Sequence, residues 1–554
     1  MKKLPIGIEN FKEIATDCYY VDKTLLIKEL IDLPIGTSIL FTRPCRFGKS
    51  LNLSMLQTYF EQGEDSRLYF EGKAIMSQEK SYLSEMSAHP VIRLVMKNAI
   101  GSDWATLYAK IKTIVASEYQ RHCSLLDENV LSEQERRFFS SILDLSAPES
   151  DFSSALSQLA LFLFRSSKKT VVVLLDEYDA PIEEARQNGF FDEAIAFFRS
   201  FYGEALKGND SMRFAVVSGV MQIAKESLFS GLNNLFVANV TAPKYGEYFG
   251  FNEEETLALL SYYGKHPEKD ELRKWYGGYS FGGQTLYNPW SILLYAQSGI
   301  FQPYWANTGK NSLIGSLIEK APSGTIDAFN TLLSGGDCLC RILTSIDYHE
   351  LTPDRDVLFS FLVAAGYLAI KQRIDGLMFK VIIPNQEIAD IFASEIKDKF
   401  VPSGADEGYY RLKDSLSLGD AEKLSSAFQE FLLSSFSSFE FGDEKNYQAM
   451  VLAMSALLFS DHIVKAEVNT GKGRCDILIS PKTSGGMGII MELKHYKNRS
   501  SSKRLIAQSQ KALEQIKTLD YAEELRLRKA NPIWAYGIVF YEKKAVIQSE
   551  KLQS

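Results

Sequence analysis

Short runs of consecutive apolar residues alternate with amphipathic stretches over the first 240 or so positions of the chain. Thr37–Thr42, Pro90–Met96, Lys169–Leu175 and Arg213–Ser218 are nearly all apolar and only six or seven residues long. A strand with one face in water alternates apolar and polar side chains, whereas a strand covered on both faces does not. Between these runs lie stretches such as Ser153–Phe164 and Phe191–Leu206, whose apolar residues recur at helical spacing. Strands separated by helices predict an α/β region with a parallel sheet covered on both faces.

The pattern changes further along. Residues 241–400 are more helical and aromatic. Within them the apolar stretch Val357–Tyr367 is followed by two apolar-alternating runs flanking Asp375-Gly376, a strong hairpin signal. Helix followed by hairpin predicts a winged-helix-like element. Residues 401–440 are rich in Ser, Leu and charge without strand patterning and read as a helical linker. The last segment predicts a helix at Tyr447–Phe459, strands at His462–Val468, Arg474–Ser480 and Gly488–Leu493, a long helix at Ser502–Glu524 and a final strand at Ile533–Tyr541. The expected domains are therefore 1–240, 241–400, 401–440 (linker) and 441–554.

Composition removes whole classes of protein. With 554 residues, 45% hydrophobic and 23% charged, the chain is neither fibrous nor disordered. Its six cysteines are scattered, only Cys338 and Cys340 lie close together, and no Cys/His spacing resembles a zinc site. Reduced thiols, an N-terminus without an apolar signal-peptide core and apolar runs too short to span a bilayer predict a cytoplasmic location and no membrane partner. The net charge of −8 speaks against a protein that simply coats nucleic acid. The charge is unevenly spread, however. Residues 441–554 hold 18 Lys and Arg against 12 Asp and Glu, a net of +6, so the remainder carries −14. A basic C-terminal segment is what a phosphate backbone attracts.

Two groups of residues carry chemistry. The strand Thr37–Thr42 runs through Arg43-Pro44-Cys45-Arg46-Phe47 into Gly48-Lys49-Ser50 and an apolar helix. Strand, loop, Gly-Lys-Ser and helix form the context of a phosphate-binding loop. There the backbone N–H groups hold phosphates, Lys49 reaches the β- and γ-phosphates of ATP and Ser50 binds Mg²⁺. Arg43 stands where such a loop usually begins with glycine, and Pro44 supplies no N–H. Asp176 and Glu177 follow the strand VVVLL at the sheet edge facing the ligand crevice. Asp176 is the candidate Mg²⁺ ligand and Glu177 the candidate base for the attacking water. Ser218, ending a neighbouring strand, is a candidate sensor of the γ-phosphate.

Near the C-terminus, Asp476 lies in one strand and Glu492 and Lys494 in the next. Residues i and i+2 of a strand share a face, so Glu492 and Lys494 point the same way. Two carboxylates on paired strands bind Mg²⁺, which activates water against a phosphodiester, and Lys494 stabilises developing charge. Gln515 and Tyr521 on the following helix are weaker candidates for reaching the metal or a nucleic acid. Glu444, Glu467 and His495 read as incidental.

The segments LPIGIENFKEI, YYVDKT, RPCRFGKSLNLSML, LLDEYDAPI, SGLNNL, WYGGYSFGG, YNPWSI and YWANTG resemble the bacterial AAA-ATPase-like family, in which the ATPase-like region precedes a PD-(D/E)XK nuclease-superfamily domain. The segments GKGRCDILI, IIMELK and ALEQIKTLDY are similar to that second domain. The resemblance implies a P-loop NTPase-type sheet, a restriction-endonuclease-like α/β domain at the C-terminus, nucleotide binding at Lys49, Ser50, Asp176 and Glu177, and a metal-dependent nuclease site at Asp476, Glu492 and Lys494. Its loop shares Arg43, and Arg46 and Lys225 fall near the phosphates by position in the family pattern. The expected function is an ATP-binding and ATP-hydrolysing protein coupled to a Mg²⁺-dependent nuclease acting on nucleic acid, DNA in the first instance. The alternative is a nucleotide-switched interaction protein with a vestigial nuclease fold. A homo-oligomer or a protein partner is left open.

Overall fold

The computed structural model describes residues 1–223, 228, 234–305, 325–333, 335–343, 354–392, 406–435, 447–448, 451, 454–455, 458–459, 462–481, 484–496, 501–541 and 544–553. It forms two compact units, Met1–Trp305 with Cys340–Gln386, and Ala306–Leu339 with Glu387–Ser554.

The first unit is built on a five-stranded sheet of order β2-β3-β4-β1-β5, with β1 at Thr37–Thr42, β2 at Val91–Val95, β3 at Val171–Asp176, β4 at Met212–Gly219 and β5 at Leu235–Ala238. All neighbours are parallel, as runs without alternation require. Every residue of β3 is buried. The strand register aligns Leu94, Leu175, Val217 and Leu40 in one row. That row packs into a core shared with the helices Trp104–Arg121, Glu149–Ser167 and Phe191–Leu206. One residue further along, Asp176 and Ser218 turn to the opposite face. The helix Lys49–Phe60 lies over that face, where Arg93 of β2 donates to Gln57 Oε1 at 3.1 Å. The alternation of the sheet thus delivers apolar side chains to one layer and the polar pair to the layer that carries the Gly48-Lys49-Ser50 loop.

β5 escaped the sequence reading: it has four residues, one of them the exposed Phe236, too few to show a pattern. The helix Arg355–Ala365 and the hairpin Ala369–Asp375 with Met378–Ile382 form as expected, turning at Gly376.

The second unit carries a five-stranded sheet in chain order: His462–Thr470, Gly473–Pro481, Gly488–His495, Ile533–Tyr541 and Lys544–Leu552. Only Gly488–His495 and Ile533–Tyr541 pair in parallel, linked by the helix Ser502–Thr518. Two expectations are corrected. Ile533–Tyr541 is not the last strand; Lys544–Leu552 follows as an edge strand whose mixed polar character hid it. The helix read as Ser502–Glu524 stops at Thr518 and resumes at Glu523–Leu527. Asp520 adopts a positive φ of 53°, and Lys472 in the turn between the first two strands donates to the Leu519 carbonyl at 2.7 Å, which fixes the break.

The expected linker is helical, Asp406–Leu418 and Ala421–Ser435, but it belongs to the core of this unit. Leu412, Leu416, Leu424 and Phe428 are buried against Ile538, Phe540 and Ile547, and Tyr536 donates its hydroxyl to the Leu416 carbonyl at 2.7 Å. Glu444 and Lys225 lie outside the described residues, as does the side chain of Glu467.

Gly537 sets how closely the helix Ser502–Thr518 approaches the sheet: a Cβ there would overlap the Ser509 carbonyl and lie 2.7 Å from the Leu513 nitrogen. Gly537→Ala is therefore expected to push that helix outward, costing on the order of 2–4 kcal/mol by overpacking against rigid backbone. Urea unfolding of the full chain checks this, and an unchanged midpoint would rule it out.

Candidate nucleotide and metal sites

At the end of β1 the chain makes a loop in which Arg46 (φ 69°) and Gly48 (φ 87°) both lie in the left-handed region. Alternating left-handed residues turn successive N–H groups inward and make an anion-binding concavity. Gly48 is the N-cap of the 12-residue helix Lys49–Phe60, which adds the positive end of its dipole. Lys49 is buried, and its Nζ donates to the carbonyls of Arg43 and Pro44 at 2.9 Å each, lying across the loop. Ser50, the next residue, opens the same helix.

Arg43 explains the missing first glycine. Its side chain is fully buried, donates to the carbonyls of Thr42 (2.9 Å) and Ala238 (2.6 Å), and lies between the Phe249 and Phe281 rings at 4.9 and 5.3 Å. Burial pulls its pKa down to about 9. It ties β1 to β5 and to the chain beyond, so it holds the loop and leaves phosphate to others. Pro44 packs toward the winged element: a Cβ on Gly366 would meet its Cβ at 2.7 Å. Arg46 is exposed, and its guanidinium stacks over Trp290 at 4.4 Å. Arg43→Ala strands two buried carbonyls and opens a cavity. The expected loss is about 3 kcal/mol, visible as a lower calorimetric transition; a profile superimposable on the parent's would refute it.

Asp176 ends β3, fully buried. Its Oδ1 accepts a 2.5 Å hydrogen bond from Ser218 Oγ, while Oδ2 is buried without a hydrogen-bond partner. A buried carboxylate oxygen without a donor is costly unless something charged occupies the space beside it. A divalent cation suits that oxygen. Ser218 therefore meets Asp176, the neighbouring acidic residue. Glu177 has φ 52°, a strained conformation for a non-glycine residue of the kind that clusters at functional sites. Burial, reinforced by Asp176, pushes its carboxyl upward, opposed by Lys49 and Lys97.

Asp179 and Tyr178 were missed by the sequence reading. Asp179 Oδ2 accepts from the N–H groups of Val220 and Met221 at 2.8 and 2.9 Å, and the Tyr178 hydroxyl donates to the Met221 carbonyl at 2.8 Å. They bind the acidic turn to the chain that follows β4. The second aspartate of LDEYD was the available clue.

In the second unit, Asp476 and Glu492 come together as expected. Ile477 pairs with Met491, and Asp476 Oδ2 accepts from the Leu493 N–H at 2.6 Å. Glu492 is 2% exposed. Its Oε1 accepts from Lys494 Nζ at 2.8 Å and Gln515 Nε2 at 2.6 Å, and its Oε2 is buried without a hydrogen-bond partner. Gln515 also donates to the Tyr521 hydroxyl at 3.1 Å, so both weaker candidates reach the site. His495 instead contacts the Tyr447 ring, 4.8 Å between centroids. Among the described residues no group of three or more His, Cys, Asp and Glu is placed to hold a metal. A pair of carboxylates still suits Mg²⁺, which keeps several waters.

Burial, with Asp476 second, pushes the Glu492 carboxyl up to about 7. A raised carboxylate pKa means the metal-free fold binds a proton that the unfolded chain has released. Stability contributed by this group is present below the ordinary carboxylate range and lost as pH rises toward 7. A cation must displace that proton, so Mn²⁺ affinity is expected to rise with pH and level off above about 7. Calorimetric titration across pH about 5 to 8 checks this; a pH-independent affinity in the parent, or an unaltered slope in Glu492→Gln, would contradict it.

One orphaned buried carboxylate oxygen thus lies at the end of β3 in the first unit, and a second lies on the mixed sheet of the second unit, in the carboxylate that also accepts from Lys494. Both regions match known families. Residues 5–229 match the family model described as "Predicted AAA-ATPase", and residues 442–550 match that of the PD-(D/E)XK nuclease superfamily. The chain thus joins a stretch similar to the AAA-ATPase-like family to one similar to the PD-(D/E)XK nuclease superfamily. It is also similar to a protein of Azotobacter chroococcum mcd 1 described as "Uncharacterized protein in vnfD 5'region", 28% identical over 552 residues and covering 97% of this chain and 96% of that protein. Among the described residues no helix is long and apolar enough to cross a membrane.

Proposed function

We propose that the chain binds and hydrolyses ATP in its first unit and cleaves nucleic-acid phosphodiesters in its second, with Mg²⁺ serving both. The observation that carries the nuclease reading is Glu492: one oxygen committed to Lys494 and Gln515, the other buried beside Asp476 without a donor. Asp476 and Glu492 would hold the metal, which when bound polarises the phosphodiester and lowers the pKa of a bound water. Lys494, about one-third exposed, keeps its ammonium at the Glu492 carboxylate and stabilises charge on the phosphate oxygens. Gln515 orients Glu492 from the helix, as partners of metal-binding carboxylates do. In the first unit, Lys49 and the loop N–H groups hold the phosphates, Ser50 and Asp176 hold the cation, and Glu177 takes the proton of the attacking water.

The test is cleavage of labelled DNA and RNA, single- and double-stranded, with and without Mg²⁺ and with and without ATP. Metal-dependent cleavage that changes with ATP supports the coupled reading. ATP turnover with nucleic-acid binding but no cleavage favours the nucleotide-switched interaction protein.

A further inference from the structure

The strand Gly488–His495 and the helix Ser502–Thr518 each present a polar stripe, and the two converge at Glu492. Along the strand, Glu492, Lys494 and Tyr496 alternate onto one face. Along the helix, Arg504, Gln508, Lys511 and Gln515 are spaced by four, three and four residues. At 100° per residue these fall within an arc of about 60° and span roughly 16 Å. The stripes meet at both ends. Gln515 donates to Glu492 at 2.6 Å, and the Arg504 guanidinium lies over the Tyr496 ring at 5.8 Å. The remaining face of the helix is buried through Leu505, Ser509, Ala512, Leu513 and Ile516, which fixes the orientation of the stripe.

What sets the stripe cations apart is their place on the line that ends at Glu492, since some cations elsewhere in the unit are paired and others are not. Lys517 is paired with Glu514 and Glu550, Arg526 with Asp520 and Lys465 with Glu524, whereas Lys472, Lys503, Lys529, Lys544 and Lys551 are exposed off the stripe and form no ion pair with another described residue. On the stripe, Arg504 and Lys511 are exposed and form no ion pair with another described residue. Two cations on a line that ends at the carboxylate pair await an external anion. Repeated anions at that spacing, one of them at the metal site, are the phosphates of a nucleic-acid strand.

We infer that Arg504, Gln508 and Lys511 form a backbone track that leads one strand of the substrate to the Asp476–Glu492 site over about 16 Å of helix. This rests on the nuclease reading and adds where the strand runs. The track contacts phosphates and so carries no sequence preference.

The experiment measures binding of a fluorescently labelled oligonucleotide, single-stranded and duplex, as DNA and as RNA. The full chain is titrated by anisotropy over a range of salt. Arg504→Gln with Lys511→Gln is compared with Lys517→Gln, and Mn²⁺ affinity is measured on each by calorimetry. Two lost phosphate contacts should flatten the plot of log K against log salt by about 1.8 for a duplex, or about 1.4 for a single strand. Affinity should fall at least tenfold at moderate salt. Lys517→Gln should match the parent, and all three proteins should bind Mn²⁺ alike. A parent that binds with an unchanged slope in the double variant overturns the track and leaves the nuclease reading intact. Equal flattening in Lys517→Gln overturns it as well, since the charge would then act without regard to place. A parent that binds no oligonucleotide while binding Mn²⁺ overturns both.

Discussion

Asp476→Asn is expected to abolish metal-dependent cleavage, with a loss of at least about 10²-fold, the scale on which even an outer partner of a metal site acts. The substitution is nearly isosteric. The new side-chain amide would keep an oxygen to accept the Leu493 N–H, which Asp476 holds at 2.6 Å, so the strand pairing is retained. What is lost is one of the two negative charges that compete for the cation. The same change removes the like charge beside Glu492, one of the causes that push its carboxyl up to about 7. The Glu492 pKa should therefore fall while cation affinity also falls, two effects that a merely unfolded variant would not show together. Cleavage rate and Mn²⁺ calorimetry measured on the same preparation check this. Cleavage equal to the parent's would show that Asp476 is no part of the site.

The second large effect is a split between binding and turnover in the first unit. Glu177→Gln should bind ATP as tightly as the parent but hydrolyse it about 10²–10⁴-fold more slowly, the usual contribution of a positioned base. Lys49→Ala should instead lose nucleotide affinity, since its ammonium is the charge held across the loop by the Arg43 and Pro44 carbonyls. Filter binding of labelled ATP and phosphate release distinguish the two. Equal turnover in Glu177→Gln and the parent would remove Glu177 from the catalytic role.

Much of this architecture was legible because burial writes itself into a strand directly. Thr37–Thr42 and Ile533–Tyr541 have the bounds their apolar runs predict, as does the helix Phe191–Leu206. The candidate residues were legible where a motif fixes spacing along one element: Lys49 and Ser50 on a helix start, Glu492 and Lys494 on one strand face. What stayed hidden depends on partners far along the chain. Lys544–Leu552 is a strand because Ile533–Tyr541 offers it an edge, not because its own pattern is apolar. The break after Thr518 depends on a turn at Gly471-Lys472, whose N–H meets the Leu519 carbonyl. Asp179 looks like any acidic turn residue until the N–H groups of Val220 and Met221 are placed against it. The two helices within 406–435, packed into the core through Leu412, Leu416, Leu424 and Phe428, read as a linker because serine and charged residues are many in their sequence.

Arg43 bears on how the molecule comes to be assembled. Its hydrogen-bond acceptors and ring neighbours include Ala238, Phe249 and Phe281, about 195 to 240 residues further along the chain. A guanidinium cannot shed water until those walls exist. The loop of residues 43–50, although encoded near the N-terminus, thus completes its packing only against residues far along the chain. A fragment ended at residue 229, where the match to the ATPase-like family stops, would lack all three. Its loop of residues 43–50 would be left with the right residues and no mould to set them in.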